Sequence, residues 1–221
     1  MKICGISHRP DAFVATALGA DAIGLNFYEG SPRYLPPSLA GNVAAAVPSG
    51  VAKVGVFVNA AVDEVIRLAD RLRLDFIQLA GEEPPEFLAA LGGRPVIKVF
   101  RIGSDGIDPL RRFLNQAMHQ RCMPEAILLD ACQSGQFGGT GTAMDWHKLR
   151  SDLDRREFTM PPIILAGGLT PENVGESILI VRPDAVDVAS GVEYAPGRKD
   201  ALRMSRFLEA ASAAFASLPA K

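Results

Sequence analysis

The sequence predicts a single α/β domain over residues 1–221, folded as a (β/α)8 barrel, a TIM barrel of the phosphate-binding type. Eight short runs rich in Val, Ile, Leu and Phe recur along the chain, and each is followed by a helix-like stretch. The run ends, near Cys4, Phe27, Phe57, Leu79, Phe100, Asp130, Ala166 and Ala189, fall 21 to 36 residues apart, the length of one βα unit with its connection. A doubly wound sheet is the rival architecture. Its first turn would carry a glycine-rich dinucleotide fingerprint, and Cys4-Gly5-Ile6-Ser7-His8 has none. Eight units in one domain spell a closed barrel.

The first strand, 2 to 4, ends on a cysteine, and the helix after it has Pro10 suited to its first turn and Gly19 to its stop. A second strand spans 21 to 27, and Pro36-Pro37 opens the second helix. Strands follow at 53 to 58, 75 to 79 and 96 to 100, the last leading into a polar loop and helix from Arg101 to Gln120. The sixth strand, 126 to 130, ends on Asp130. After it, Gln133 to Thr142 is the one long glycine-rich loop, suited either to close over a ligand or to serve as a plain connection. The seventh and eighth strands, 163 to 166 and 185 to 189, are each followed by glycines. In the last helix, Met204, Phe207, Leu208, Ala211, Phe215 and Leu218 recur at spacings of three and four, which draws one apolar stripe to pack on a sheet.

Composition sets the context. With 221 residues, 48% of them hydrophobic and 22% charged, the chain can bury one substantial core. A net charge of −2 and a pI near 5.9 give no electrostatic reason to expect nucleic acid or an anionic membrane as partner. No run approaches the roughly 20 apolar residues of a membrane span, and the N-terminus lacks a basic region followed by an apolar stretch. A cytoplasmic protein is expected, as a monomer, with a dimer as the alternative. Cys4, Cys122 and Cys132 are odd in number and lack metal-ligand spacing, so reduced thiols are expected rather than disulfides or a zinc site.

Chemistry in α/β barrels gathers at the C-terminal strand tips. Cys4 and Asp130 place a thiol and a carboxylate there, the makings of a base and an acid. Taken singly, Cys4 reads equally as a small buried hydrophobe and Asp130 as a capping or ion-paired carboxylate. The turns Ala166-Gly167-Gly168-Leu169 and Ala189-Ser190-Gly191-Val192 follow the seventh and eighth strands. Loops at those two positions often cradle a phosphate through backbone N–H groups, which nominates Gly167, Gly168, Ser190 and Gly191.

Further segments are more specific. Lys2-Ile3-Cys4-Gly5-Ile6, Phe27-Tyr28-Glu29-Gly30-Ser31-Pro32-Arg33-Tyr34, Val54-Gly55-Val56-Phe57-Val58-Asn59 and Gln78-Leu79-Ala80-Gly81-Glu82-Glu83 stand in the first half. Leu128-Leu129-Asp130, Gly138-Gly139-Thr140-Gly141 with Asp145-Trp146, Ala166-Gly167-Gly168-Leu169 with Pro171-Glu172-Asn173-Val174, and Val186-Asp187-Val188-Ala189-Ser190-Gly191-Val192-Glu193 stand in the second. Together, in order from residue 2 to about residue 200, they resemble the phosphoribosylanthranilate isomerases of tryptophan biosynthesis. The resemblance implies an Amadori rearrangement of N-(5-phosphoribosyl)anthranilate to 1-(2-carboxyphenylamino)-1-deoxyribulose 5-phosphate, without cofactor or metal.

That reaction opens a furanose ring, which needs an acid, and then removes the C2 proton, which needs a base. Asp130 matches the family's acid and Cys4 its base. An Asp130 that donates near neutrality needs a pKa well above about 3.9, and Cys4 needs one below about 8.5 or a favourable local field. Arg33 matches the residue that holds the anthranilate carboxylate, a task suited to the planar guanidinium fork. Asp187 alternates with Val186 and Val188, points into the barrel or its mouth, and matches a position near the substrate; a structural partner for a nearby loop is the other reading.

One departure stands out: family members commonly carry histidine where this chain has Ala80. His8, His119 and His147 suggest neither a Cys/His pair nor a metal site, and Lys53 and Lys98 read as supporting polar residues. Three other functions stay open. A phosphosugar isomerase of histidine biosynthesis would carry a carboxylate where Cys4 stands, Lys98 would serve a Schiff-base lyase, and Ala80 invites a catalytically inactive phosphosugar-binding barrel.

Overall fold

In a computed structural model, which describes residues 1–103, 105–130, 145–155 and 160–219, eight parallel strands close into one barrel in sequence order. The strands are β1 (Lys2–Ile3), β2 (Ala22–Asn26), β3 (Ala52–Phe57), β4 (Phe76–Leu79), β5 (Val96–Arg101), β6 (Ala126–Asp130), β7 (Ile163–Ala166) and β8 (Ala185–Val188). Between them run helices α1 (Arg9–Ala17), α2 (Pro37–Ala44), α3 (Val62–Leu72), α4 (Pro85–Ala90), α5 (Asp108–His119), α6 (Trp146–Asp154) and α7 (Val174–Val181), and α8 (Ala201–Ser217) follows the last strand. Cys132, the loop Gln133 to Thr142 and the Gly138 to Gly141 motif lie outside the described residues.

The strands read as apolar runs because both of their faces are buried. Successive side chains alternate between the two. Val54, Ile97, Ala126, Leu128, Ile164 and Ala166 fill the inside of the barrel as a cluster of their own. Ile3, Ile23, Leu25, Ile77, Leu79, Ile127, Leu129, Leu165, Val186 and Val188 face outward into the layer shared with the helices. The same alternation turns Lys2, Asn26, Gln78, Asp130 and Asp187 inward. Most polar strand residues are thus turned to the inner face and its rim, with Lys98 an outward exception.

The helices begin and end as their sequences require. Pro10, Pro37 and Pro85 sit in the first turns of α1, α2 and α4. Asp145 and Asp200 cap α6 and α8 by accepting from Lys148 and Arg203 backbone N–H groups at 2.9 and 3.0 Å. The stripe of α8 lands as expected, with Met204, Phe207, Leu208 and Ala211 buried against the barrel. Each large side chain so buried contributes about 1.5–3 kcal/mol.

One element was not foreseen. After β8 come a 3-10 turn (Ser190–Val192) and an antiparallel hairpin of β9 (Glu193–Ala195) and β10 (Arg198–Lys199). Its strands, of three and two residues, are too short to show an alternating pattern.

Candidate active site at the barrel mouth

Closing the barrel builds the first part of the site. β1 pairs with β8 so that Lys2 and Asp187 are direct neighbours, and the Lys2 Nζ donates to Asp187 Oδ1 at 2.9 Å with both side chains buried. Cys4 lies one pleat higher on the same inner face. Its N–H donates to the Val188 carbonyl at 2.8 Å, which holds the thiol at the rim. Gly24 of β2 makes room for it, since a Cβ there would stand 2.6 Å from Cys4 Sγ.

Burial pushes the Cys4 thiol above its ordinary pKa and the Asp187 carboxylate adds to the rise, while Lys2 and Lys199 pull the other way without prevailing. Burial also works against the charge on Lys2, but Asp187 and then Cys4 outweigh it and raise the ammonium above its usual value. The free site therefore holds a protonated thiol beside a buried ammonium–carboxylate pair. The low pKa that would populate a thiolate is absent, although Lys2 and Lys199 act toward it.

Asp130 ends β6 on the inner face, half-buried, with Arg101 of β5 and Ala166 of β7 as its register neighbours. Only β7 and β8 separate β6 from β1 around the barrel. The two glycine turns that follow those strands thus stand between the carboxylate and the thiol. Gly167 and Gly168 adopt φ of +89° and +64°, open to glycine at little cost. Asn173 ties that turn by accepting from Thr170 N–H at 2.8 Å and donating to the Gly168 carbonyl at 3.0 Å. A Cβ on Gly191 would overlap the Leu169 carbonyl oxygen, so the Ser190-Gly191 turn packs backbone to backbone on its neighbour.

Arg33 reaches the mouth from the loop after β2. Its Nε and Nη2 donate to the two carboxylate oxygens of Glu193 at 2.9 and 2.7 Å. Glu193, buried, also accepts from Lys199 Nζ at 2.8 Å. Burial alone would raise the Glu193 pKa; the hydrogen bonds from Arg33 and Lys199 hold it below the carboxylate range instead. Burial lowers the Lys199 ammonium despite that same bond. One edge of the Arg33 fork is thereby engaged, and its Nη1 has no hydrogen bond among the described residues. The Arg33 stem lies on Gly5, whose φ is +72° and where a Cβ would overlap Arg33 Cδ. Glu193 and Lys199 were not singled out from sequence, since nothing in local spacing links them to residue 33.

The structure gathers Cys4, Asp187 and the two glycine turns, with Arg33 joined to Cys4 through Gly5 and Asp130 across the turns. Ala80, two residues beyond Gln78, follows the same inward alternation at the tip of β4. Lys98 takes no part, because it alternates with the inward Ile97 and Val99 and spends its ammonium outside the barrel on the Gly81 carbonyl at 2.7 Å and on Glu83 at 2.8 Å. His8 is half-buried with Nδ1 at 2.9 Å from Ser7 Oγ, and His119 and His147 are exposed. Among the described residues, no group of three or more His, Cys, Asp or Glu could hold a metal ion, and no helix is long and apolar enough to cross a membrane.

Residues 1–210 match the N-(5'-phosphoribosyl)anthranilate (PRA) isomerase family. The chain belongs to that family. It is 44% identical over 214 residues to the N-(5'-phosphoribosyl)anthranilate isomerase of Geobacter metallireducens, covering 96% of this chain and 98% of the relative. A phosphoribosyl anthranilate isomerase solved with reduced 1-(o-carboxyphenylamino)-1-deoxyribulose 5-phosphate superposes with a TM-score of 0.78 at 37% identity, covering 96% of this chain and 97% of that one. Monomers generated from the dimeric Thermotoga maritima isomerase give a TM-score of 0.77 at 36% identity, with 96% and 97% covered.

Proposed function

We propose that this chain is a phosphoribosylanthranilate isomerase, converting N-(5-phosphoribosyl)anthranilate to 1-(2-carboxyphenylamino)-1-deoxyribulose 5-phosphate in tryptophan biosynthesis. The observation that carries the mechanism is the placement of Cys4 and Asp130 on strand tips either side of two touching glycine turns. Backbone N–H groups of Gly167, Gly168, Ser190 and Gly191 hold the phosphate. The ribose then lies between acid and base. Asp130 protonates the furanose oxygen, the ring opens to the iminium at C1, and Cys4 removes the C2 proton to give the enolamine, which tautomerises to the ketone.

Carbon 1 is reduced as carbon 2 is oxidised, so the step balances within the substrate. Cys4 acts from its thiolate, formed in the field of Lys2 and Lys199. Arg33 receives the anthranilate carboxylate on its open edge, and Asp187 holds Lys2 against the thiol and faces the substrate. The reading extends to one barrel domain over residues 1–221, working in the cytoplasm as a monomer; the dimeric state named for the Thermotoga relative favours a dimer as the alternative.

The test is consumption of phosphoribosylanthranilate by the purified protein alongside Cys4→Ser and Asp130→Asn. Both variants fold and lose about 10²–10⁴-fold in kcat, the usual contribution of a positioned acid or base. Undiminished turnover in Cys4→Ser removes the base assignment. Product binding without turnover by the parent replaces the enzyme with a binding protein.

A further inference from the structure

The β7 and β8 turns that hold the phosphate in the proposed reading sit opposite β3 and β4 in the closed ring of eight strands. A substrate anchored there and lying between Cys4 and Asp130 projects its aromatic acid toward the far half of the rim. Two guanidinium groups flank that half. Arg33 comes from the β2 side with one edge committed to Glu193. Arg101 comes from the β5 side: it ends that strand, shares the inward alternation of Ile97 and Val99, and is the register neighbour of Asp130.

A cavity of about 400 Å³ lies at the tips of β4 and β5, where Ala80 and Arg101 line the side next to the mouth and Glu83, Lys98, Arg112 and Gln116 line the side away from it. At position 80 the side chain facing this space is only a methyl group. Gln78, one pleat deeper and 5% exposed, carries a buried Oε1 with no hydrogen-bond partner among the described residues. Arg101 is exposed, and neither it nor Arg112 forms an ion pair with a carboxylate among the described residues.

We propose that Arg101 is a substrate-binding residue that takes the anthranilate carboxylate from the β5 side, opposite Arg33, so that the mouth works without an imidazole at position 80. The ligand class is an aromatic carboxylate joined to a phosphosugar. Planar, permanently charged and offering paired N–H donors, a guanidinium suits that group better than an imidazole does. The proposal rests on the isomerase reading, so turnover by the parent is measured first; its absence, with no product binding, refutes that reading itself.

With an active parent, Arg101→Ala raises KM about tenfold with kcat little changed, the loss of one solvent-accessible charge-assisted contact. Inhibition by reduced 1-(o-carboxyphenylamino)-1-deoxyribulose 5-phosphate weakens by the same factor, while inhibition by inorganic phosphate is unmoved. Arg101→Lys keeps part of the affinity, and Ala80→His added to Arg101→Ala restores part of it. An unchanged KM in Arg101→Ala overturns the proposal. So does an equal weakening toward phosphate, which marks a general disturbance of the mouth.

Discussion

Replacing Glu193 by glutamine isolates the charge cluster that holds Arg33. The amide keeps the shape of the side chain but removes the negative charge between Arg33 and Lys199. The Lys199 side chain has 0% exposure and the Arg33 side chain 21%, so one cation is left sealed in the protein while the other can rehydrate. Breaking a buried pair by removing one partner costs about 3–5 kcal/mol, and the partial hydration of Arg33 places this case near about 3 kcal/mol. For a domain of this size that lowers Tm by about 6–12 °C.

Urea unfolding of parent and variant at neutral pH reads the difference, and a repeat in acid checks its origin. The folded pKa of Glu193 lies below its unfolded value, so its stabilisation is present above the unfolded pKa and is lost as pH falls through the folded one. The gap between the two proteins therefore closes in acid. A neutral-pH loss under about 1 kcal/mol, or a gap that persists in acid, refutes the assignment of the cluster as a buried ion network.

Two predictions concern the neighbouring residues. Gly5→Ala forces a side chain into the left-handed region at φ +72° and into the stem of Arg33, so it costs about 1–2 kcal/mol from backbone strain and raises KM more than it lowers kcat; an unchanged KM would separate Arg33 from the turn. Because the Cys4 pKa is raised, kcat/KM climbs with pH beyond the ordinary thiol range, and a pH profile that levels off below neutrality would show that the thiol is not the base. The same shift means that the thiol's contribution to stability is held below the unfolded pKa and lost as pH rises toward the folded one, so Cys4→Ser loses less stability in alkali than the parent does.

The barrel was legible because each strand is buried on both faces and therefore writes itself as a short apolar run, while the helices carry prolines, aspartates and a stripe at their own period. Cys4, Asp130, Arg33 and Asp187 were legible as polar residues interrupting or ending those runs and through the family motifs around them. What stayed hidden was pairing. Nothing near Lys2 announces Asp187, and nothing near Arg33 announces Glu193 or Lys199, because their contacts form only when the ends of the chain meet. Lys98 read as a supporting polar residue, and its strand position was visible, but that it faces outward to Glu83 was not. The Arg101 segment read as a polar stretch, and only the alternation along β5 turns its last residue toward the mouth.

The ties that hold the site span 185 residues from Lys2 to Asp187 and 160 from Arg33 to Glu193. A chain still being synthesised makes the thiol first and the groups that surround it last. At roughly 5–20 residues per second, seconds pass between the two. Until β8 and the hairpin after it have joined β1, Cys4 lacks Lys199, the Asp187 that holds Lys2 beside it, and the turns that would present a substrate to it. Activity is therefore withheld from every partial chain, and the isomerase switches on only when its last structural unit has docked against its first.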